Sequence, residues 1–432
     1  MRLRRMIISI CLALLLLIIP NTTNMAHANA VARENEYPIV LVHGFGGWGR
    51  DEVPSIKYWG GLTEDLEEIL NDHDYKTHTG VVGPYSSNWD RACELYAYIK
   101  GGRVDYGKAH SEKYGHDRYG RTFSGLYTDW GEVNGEDVNK IHLISHSMGG
   151  QTVRVLAQLL KEGSQDEITT VVGENPSPEA IQQAIDSGEL SPLFIGNKSW
   201  IHSITTISTP HDGTTMADAV TGAIPFAQQL VAFVAAQAGI VDEPVYDFKL
   251  DQWGLKMKPD ELYIEYADRV WNSTIWEDTK DISAWELTPD GAKELNSWVK
   301  AQSDIYYFSW ATEATRESLV TGTQVGEIGM NPLLIPFTLH MGAYTRDEPG
   351  KVVIDKTWWQ NDGVVNTNSM DGATIGSNDE IVDYNGEAII GKWNYMGLLN
   401  RTDHLDIVGI GTPWKPSDWY KELAELLGAL PK

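Results

Sequence analysis

The stretch KIHLISHSMGGQTVRVLAQLLKEG, residues 140–163, constrains the fold of this chain more than any other. An apolar run that reads as a buried strand, Ile141–Ile144, stops at Ser145-His146-Ser147-Met148-Gly149-Gly150. A helical pattern follows at once. Val153, Leu156, Leu159 and Leu160 recur at helical spacing, and Gly163 is a stop signal. YPIVLVHGFGG reads the same way, as a buried strand at Ile39–Val42 ending in a glycine-rich loop. Residues 200–213 and 303–312 are two more β-rich runs, with helical patterns between them. Strands alternating with helices predict an α/β fold with a mostly parallel sheet. In such sheets chemistry sits at the carboxyl ends of strands, where His43-Gly44-Phe45 and Ser145-His146-Ser147 both fall.

A serine at a strand-to-helix corner, flanked by small residues at two before and two after, has the pattern of a nucleophile elbow. Here Ser147 is the candidate nucleophile. Gly149 and Gly150 supply the small residues after it, and Ser145 stands where the pattern has its first glycine. A serine attacks only if a base takes its proton and N–H donors hold the developing oxyanion. One donor is the N–H after the nucleophile, from Met148. The loop after an earlier strand should give the other, and HGFGGW, residues 43–48, points to Phe45. In this type of sheet the acid and the histidine follow the serine along the chain. That order selects Asp362, in the N-D-G of WWQNDGVVNTNSM, and His404, in RTDHLDIVGI. Competing readings stay open at this point. Asp362-Gly363 is also an ordinary turn pair, His404 also reads as a surface histidine, and His43 and His146 are nearer the serine in sequence.

Composition excludes some functions. The chain opens with Arg2, Arg4 and Arg5, an apolar run from Met6 to Ile19, and the small-residue site Ala28-Asn29-Ala30. This is the layout of a secretory leader, and at about 14 residues its apolar run falls short of the roughly 20 that span a membrane. Residues 1–30 are therefore read as a signal peptide and 31–432 as one domain of a secreted, extracellular protein. Net charge is −26, and −29 once the three leader arginines are removed. Such acidity argues against nucleic acid and against docking on anionic lipid. With Cys11 in the leader, the remainder keeps only Cys93 and no internal disulfide. Residues 216–241 carry a single charge, Asp218, with Pro225 suited to a first helical turn and Gly239 to its end. Phe226, Leu230, Phe233 and Val234 share one face of that helix. It reads equally as a buried core helix and as a lid over an apolar cleft.

Several long segments occur together and in order: PIVLVHGFGGWGRDE, KYWGG, VGPYSSNWDRACELYA, GGRVDYGKAHSEKYGHDRYGRTF, HSMGGQT, TPHDGTT, VYDFKLDQWGL, WWQNDGVVNT and DHLDIVG. From about residue 37 to about residue 425 the chain resembles the secreted lipases of bacilli and staphylococci. The resemblance implies an α/β-hydrolase fold with a helical lid, about residues 214–245, and hydrolysis of triacylglycerols and other carboxyl esters at an oil–water interface. It implies Ser147, Asp362 and His404 as the triad and the N–H groups of Phe45 and Met148 as the oxyanion hole. Family members usually have glycine or alanine where this chain has Ser145. A structural zinc is implied at Asp90, His110, His116 and Asp281, with Asp278 a nearby competitor for the last place. Two histidines and two carboxylates suit tetrahedral zinc. A calcium ion is implied at the Gly329 carbonyl and Asp406, although the further aspartate and proline of bacillus members are here Gly411 and Thr412. No nucleic acid, stable membrane insertion or obligate protein partner is expected. The alternatives are a soluble esterase or phospholipase on the same scaffold, and a non-catalytic lipid-binding protein that keeps the fold.

Overall fold

The computed structural model describes residues 33–53, 55–135, 137–218, 223–238 and 246–432, with the backbone alone for residue 223 and residues 233–238. The leader expected at residues 1–30 lies outside these, as do Gly239 and the side chains of Phe233 and Val234.

Seven strands make one sheet: β1 (Ile39–Val42), β2 (Thr77–Gly80), β3 (Ile141–His146), β4 (Ile201–Ile207), β5 (Tyr306–Glu313), β6 (Ile381–Asp383) and β7 (Trp393–Asn400). Their order is β2-β1-β3-β4-β5-β7-β6, and every pairing is parallel. All carboxyl ends therefore share one edge. β1, β3 and β4 are buried along their whole length, as expected of central strands covered on both faces. Alternate side chains feed two apolar layers. Leu41, Ile144, Ile207 and Phe308 point into one, while Val40, Leu143, Ile204 and Tyr307 point into the other. Each such side chain contributes about 1.5–3 kcal/mol by leaving water.

Five helices matter for the site: α1 (Asn88–Lys100), α2 (Lys108–Tyr114), α3 (Gly149–Glu162), α4 (Ala223–Ala238) and α5 (Ser417–Gly428). α3 is the helix expected after the corner. It ends at Gly163, whose φ of 71° is open to glycine without strain. The structure differs from the sequence reading at one strand end. β3 runs on through Ser145 to His146, because its register with β1 and β4 continues: Ser145 pairs with Val42 and with Thr206. Thr215–Asp218 forms a short helix, and α4 begins at Ala223 with Pro225 in its first turn, where the sequence places it. No helix among the described residues is long and apolar enough to cross a membrane.

Candidate active site

Ser147 sits directly after β3 with a φ of 57°, a left-handed backbone that costs a non-glycine residue roughly 1–3 kcal/mol. The surrounding structure holds it there. Its N–H donates to the Ile207 carbonyl of β4 at 2.9 Å. The corner leaves no room for larger neighbours: a Cβ on Gly44 would lie 2.5 Å from that of Ser147, and one on Gly149 would lie 2.5 Å from the Val42 oxygen. Ser145 fits because its hydroxyl turns to the next strand and donates to the Thr205 carbonyl at 2.9 Å.

Asp362 and His404 come together 2.7 Å apart, Oδ2 to Nδ1. Asp362 is fully buried, and a buried carboxylate needs donors. Oδ1 accepts from the Val364 and Val365 N–H groups at 3.0 and 2.8 Å, and Oδ2 also accepts from the Thr312 hydroxyl at 2.8 Å. The N-D-G sequence is thus a turn and an acid site at once, since the turn aims those N–H groups at the carboxylate. With Nδ1–H donating to Asp362, the His404 Nε2 is left without a proton and free to accept one. Ser147 and His404 line the same cavity, with Phe45, Met216, Phe226 and Leu230. The two histidines nearer in sequence do other work. His43 bonds the Gly44 carbonyl, and His146 lies 2.7 Å from the Tyr58 hydroxyl. Burial, with Arg91 beside His43 and His404 beside His146, lowers both far below the usual imidazole range.

The loop after β1 brings Phe45 to the cavity wall. Its neighbours are committed: the Gly44 N–H donates to the Tyr58 hydroxyl and the Gly46 N–H to the Pro84 carbonyl, each at 3.0 Å. The Phe45 and Met148 N–H groups find no acceptor among the described residues. Fully buried Arg91 fixes this loop from beneath, donating to the carbonyls of His43 and Gly83 at 2.6 and 2.7 Å and to the Thr152 hydroxyl of α3 at 2.7 Å. Above it lies α4. Phe226 stacks on Phe45 with ring centres 6.3 Å apart, and Leu230 packs so tightly that a Cβ on Gly46 would come within 2.8 Å of it. Tyr58, Thr312 and Arg91 are the residues that sequence reasoning missed. KYWGG, NWDRACELYA and the β-rich run 303–312 contain them, but suggest no role for any of the three side chains.

Away from this cavity, Asp90 of α1, His110 of α2, His116 and Asp281 gather so that one ligand atom from each lies within 4.8 Å of the others. His110 and His116 both approach Asp281 Oδ2 to 3.1 Å through Nε2. Those atoms, with Asp90 Oδ1, are buried and lack hydrogen-bond partners. Four orphaned lone-pair donors around one point fit a tetrahedral divalent ion, as zinc prefers. The supporting bonds also fit: His116 Nδ1 meets the Asp117 carbonyl at 2.9 Å, and Gln252 donates to Asp90 Oδ2 at 2.8 Å. Burial alone would lower the His110 pKa, but Asp281 and Asp90 outweigh it and raise it to about 10. Burial and the Asp281 charge push Asp90 up. A cation would relieve both. Asp278 ends the separate short helix Ile275–Asp278 and is not in the cluster.

The expected calcium residues are near one another but poor in donors. Gly329 lies two residues before Asn331, whose N–H donates to Asp403 Oδ2 at 2.7 Å, and Asp406 Oδ2 accepts the Asp403 N–H at 3.0 Å. Burial, then the Asp406 charge, raises Asp403 to about 7. These carboxylates already serve backbone N–H groups, and Gly411 and Thr412 add no further one. The set falls short of the six to eight oxygens calcium takes.

A family model described as "Lipase-like, C-terminal domain" matches residues 35–427. Lipase 1 of Staphylococcus aureus strain MRSA252 is 40% identical over 392 residues, covering 88% of this chain and 52% of that protein. A Staphylococcus epidermidis lipase is 39% identical over 393 residues, 89% of this chain and again 52% of its own length. The chain thus spans about half the length of the curated relatives it matches. Among solved structures, lipase 1 from Pelosinus fermentans superposes with a TM-score of 0.82 at 55% identity, covering 92% of this chain and 100% of that one. EstA from Clostridium botulinum gives 0.83 at 48%, covering 96% and 91%. Staphylococcus hyicus lipase gives 0.72 at 34%, covering 92% and 96%.

Proposed function

Since this chain belongs to the family of lipase-like C-terminal domains, we propose that it is a secreted serine hydrolase that cleaves long-chain acylglycerols at an oil–water interface. One observation carries the reading: a strained serine at a strand end shares an apolar cavity with a histidine that a buried, fully bonded aspartate orients.

The ester's acyl chain lies in the apolar cleft beneath α4. His404 Nε2 takes the proton of Ser147 Oγ as that oxygen bonds to the carbonyl carbon. The carbonyl oxygen becomes an oxyanion and is held by the N–H groups of Phe45 and Met148, which have no other acceptor among the described residues to give up. Asp362 keeps the imidazole in the right tautomer and stabilises its charged form. His404 then gives the proton to the leaving alkoxide as the carbon–oxygen bond breaks, and the alcohol departs. A water loses its proton to His404 and attacks the acyl-enzyme. The fatty acid leaves, and Ser147 recovers its proton.

Asp90, His110, His116 and Asp281 would hold zinc. Filled by four side chains, the ion would have no vacant position for substrate and would act as a crosslink among α1, α2 and the segment before Ser283. Residues 1–30 would direct export.

Labelling with a fluorophosphonate tests the nucleophile. Ser147 should be modified stoichiometrically and Ser147→Ala not at all. A chain-length series of p-nitrophenyl esters tests the substrate class: turnover that rises toward long acyl chains agrees, and a preference confined to acetate and butyrate points to a soluble esterase instead.

A further inference from the structure

The two oxyanion donors belong to loops that follow different strands, β1 and β3, so something must hold those loops in register. We propose that Tyr58 is a positioning residue for this reaction, its hydroxyl bracketing the oxyanion loop to the nucleophile elbow. The inference rests on the roles assigned above to Ser147, Phe45 and Met148.

The Gly44 N–H donates to the Tyr58 hydroxyl at 3.0 Å, and that hydroxyl lies 2.7 Å from His146 Nδ1. A hydroxyl that accepts from an N–H still has its own proton to place. Here that proton goes to His146 Nδ1, so His146 is neutral and carries its proton on Nε2. The chain of donors runs one way, from Gly44 N–H through Tyr58 to His146, and each bond polarises the next. Gly44 directly precedes Phe45, and His146 directly precedes Ser147. The bracket therefore fixes the peptide before each catalytic loop turns. It also reaches the base, because the His146 and His404 ring centres are 4.5 Å apart. The Tyr58 ring has a separate packing role, against Trp48 and Trp59 at 5.3 and 5.5 Å. Phenylalanine would keep that packing and lose only the bracket.

The test uses the full chain and p-nitrophenyl butyrate. In Tyr58→Phe, kcat should fall about 10- to 100-fold and KM should stay within about two-fold, because a misplaced donor weakens only the transition state. The final fluorophosphonate titre should remain full, so the loss is not lost enzyme. The inhibition constant of an alkyl boronic acid, which forms a tetrahedral adduct on serine, should rise by the same factor as kcat falls; packing damage alone would not reproduce that match. His146 provides an independent route if Tyr58→Phe folds poorly. His146→Asn keeps an acceptor near the Nδ1 position and should retain most activity, whereas His146→Leu should lose as much as Tyr58→Phe. The double variant Tyr58→Phe/His146→Leu should be no worse than the worse single one, since both break one bracket. Wild-type kcat and boronate affinity in Tyr58→Phe, or losses that multiply in the double variant, would overturn the inference. An inactive parent would refute the proposed reaction and the bracket with it; an active parent that Tyr58→Phe matches would refute the bracket alone.

Discussion

At Asp362 four donors converge on one buried carboxylate, and three of them do not move with His404. The arrangement holds the Asp362 carboxylate in one orientation against His404. Asp362→Asn keeps the shape, but its amide can place a donor against His404 Nδ1 and reverse the tautomer. We expect kcat on a short soluble ester to fall about 10⁴-fold with KM little changed, as steady-state kinetics would show; a loss of only a few-fold would assign the acid elsewhere. That Ser147 and His404 share one cavity, with Asp362 bonded to that histidine, was legible in the sequence, because the corner singles out Ser147 and chain order then points to the acid and histidine after it. What was not legible depends on distance along the chain. Tyr58 meets His146 across 88 residues and Thr312 meets Asp362 across 50. No local pattern marks a tyrosine or threonine for such a bond, so only the fold reveals them. Ser145 is a milder case: its departure from glycine looked like a flaw and becomes a hydrogen bond to Thr205 once β3 is seen to continue past it.

The sequence of α4 suits both a core helix and a lid, and its described side chains have both properties. Phe226 and Leu230 are buried, yet what they cover is the cavity of Ser147 and the loop of Phe45. Opening α4 in water would expose them at about 1.5–3 kcal/mol each, whereas a lipid surface removes most of that cost. Leu230→Asp would place a charge in the closed cavity and so destabilise the closed form. Turnover of a short soluble ester should rise in water, and the gain on adding an emulsion should shrink. Equal loss on both substrates would make α4 a core helix. The strands show the limits of pattern reading in another way. β1, β3, β4 and β5 announced themselves as apolar runs, but β2 is THTG and β6 has three residues. Both lie at the edges of the sheet and are too short and too polar to show an apolar run, although Thr77 and Thr79 of β2 are buried.

Across the whole molecule, two designs replace disulfides. Cys93 is a free, buried thiol, so no covalent crosslink joins the described elements. Packing on both faces of the sheet does most of the work, and the Asp90–His110–His116–Asp281 cluster, which we propose holds zinc, gathers parts of the chain that are far apart in sequence. We expect about one zinc per chain after purification without added metal, and a lower melting temperature after chelation that zinc restores. His110→Ala should lose the metal and start at the lower temperature; a metal-free protein of unchanged stability would remove the zinc from this account. The acidic composition, at a net charge of −26, disfavours anionic membranes, and the place of action we propose is a neutral oil surface. That is also where the central claim is most directly tested, by titrating the fatty acid released from emulsified triolein by the purified chain and by its Ser147→Ala variant side by side. We expect sustained release by the parent and less than about a thousandth of that rate from the variant; no release by the parent, or release that survives the loss of Ser147, would contradict the proposed reaction.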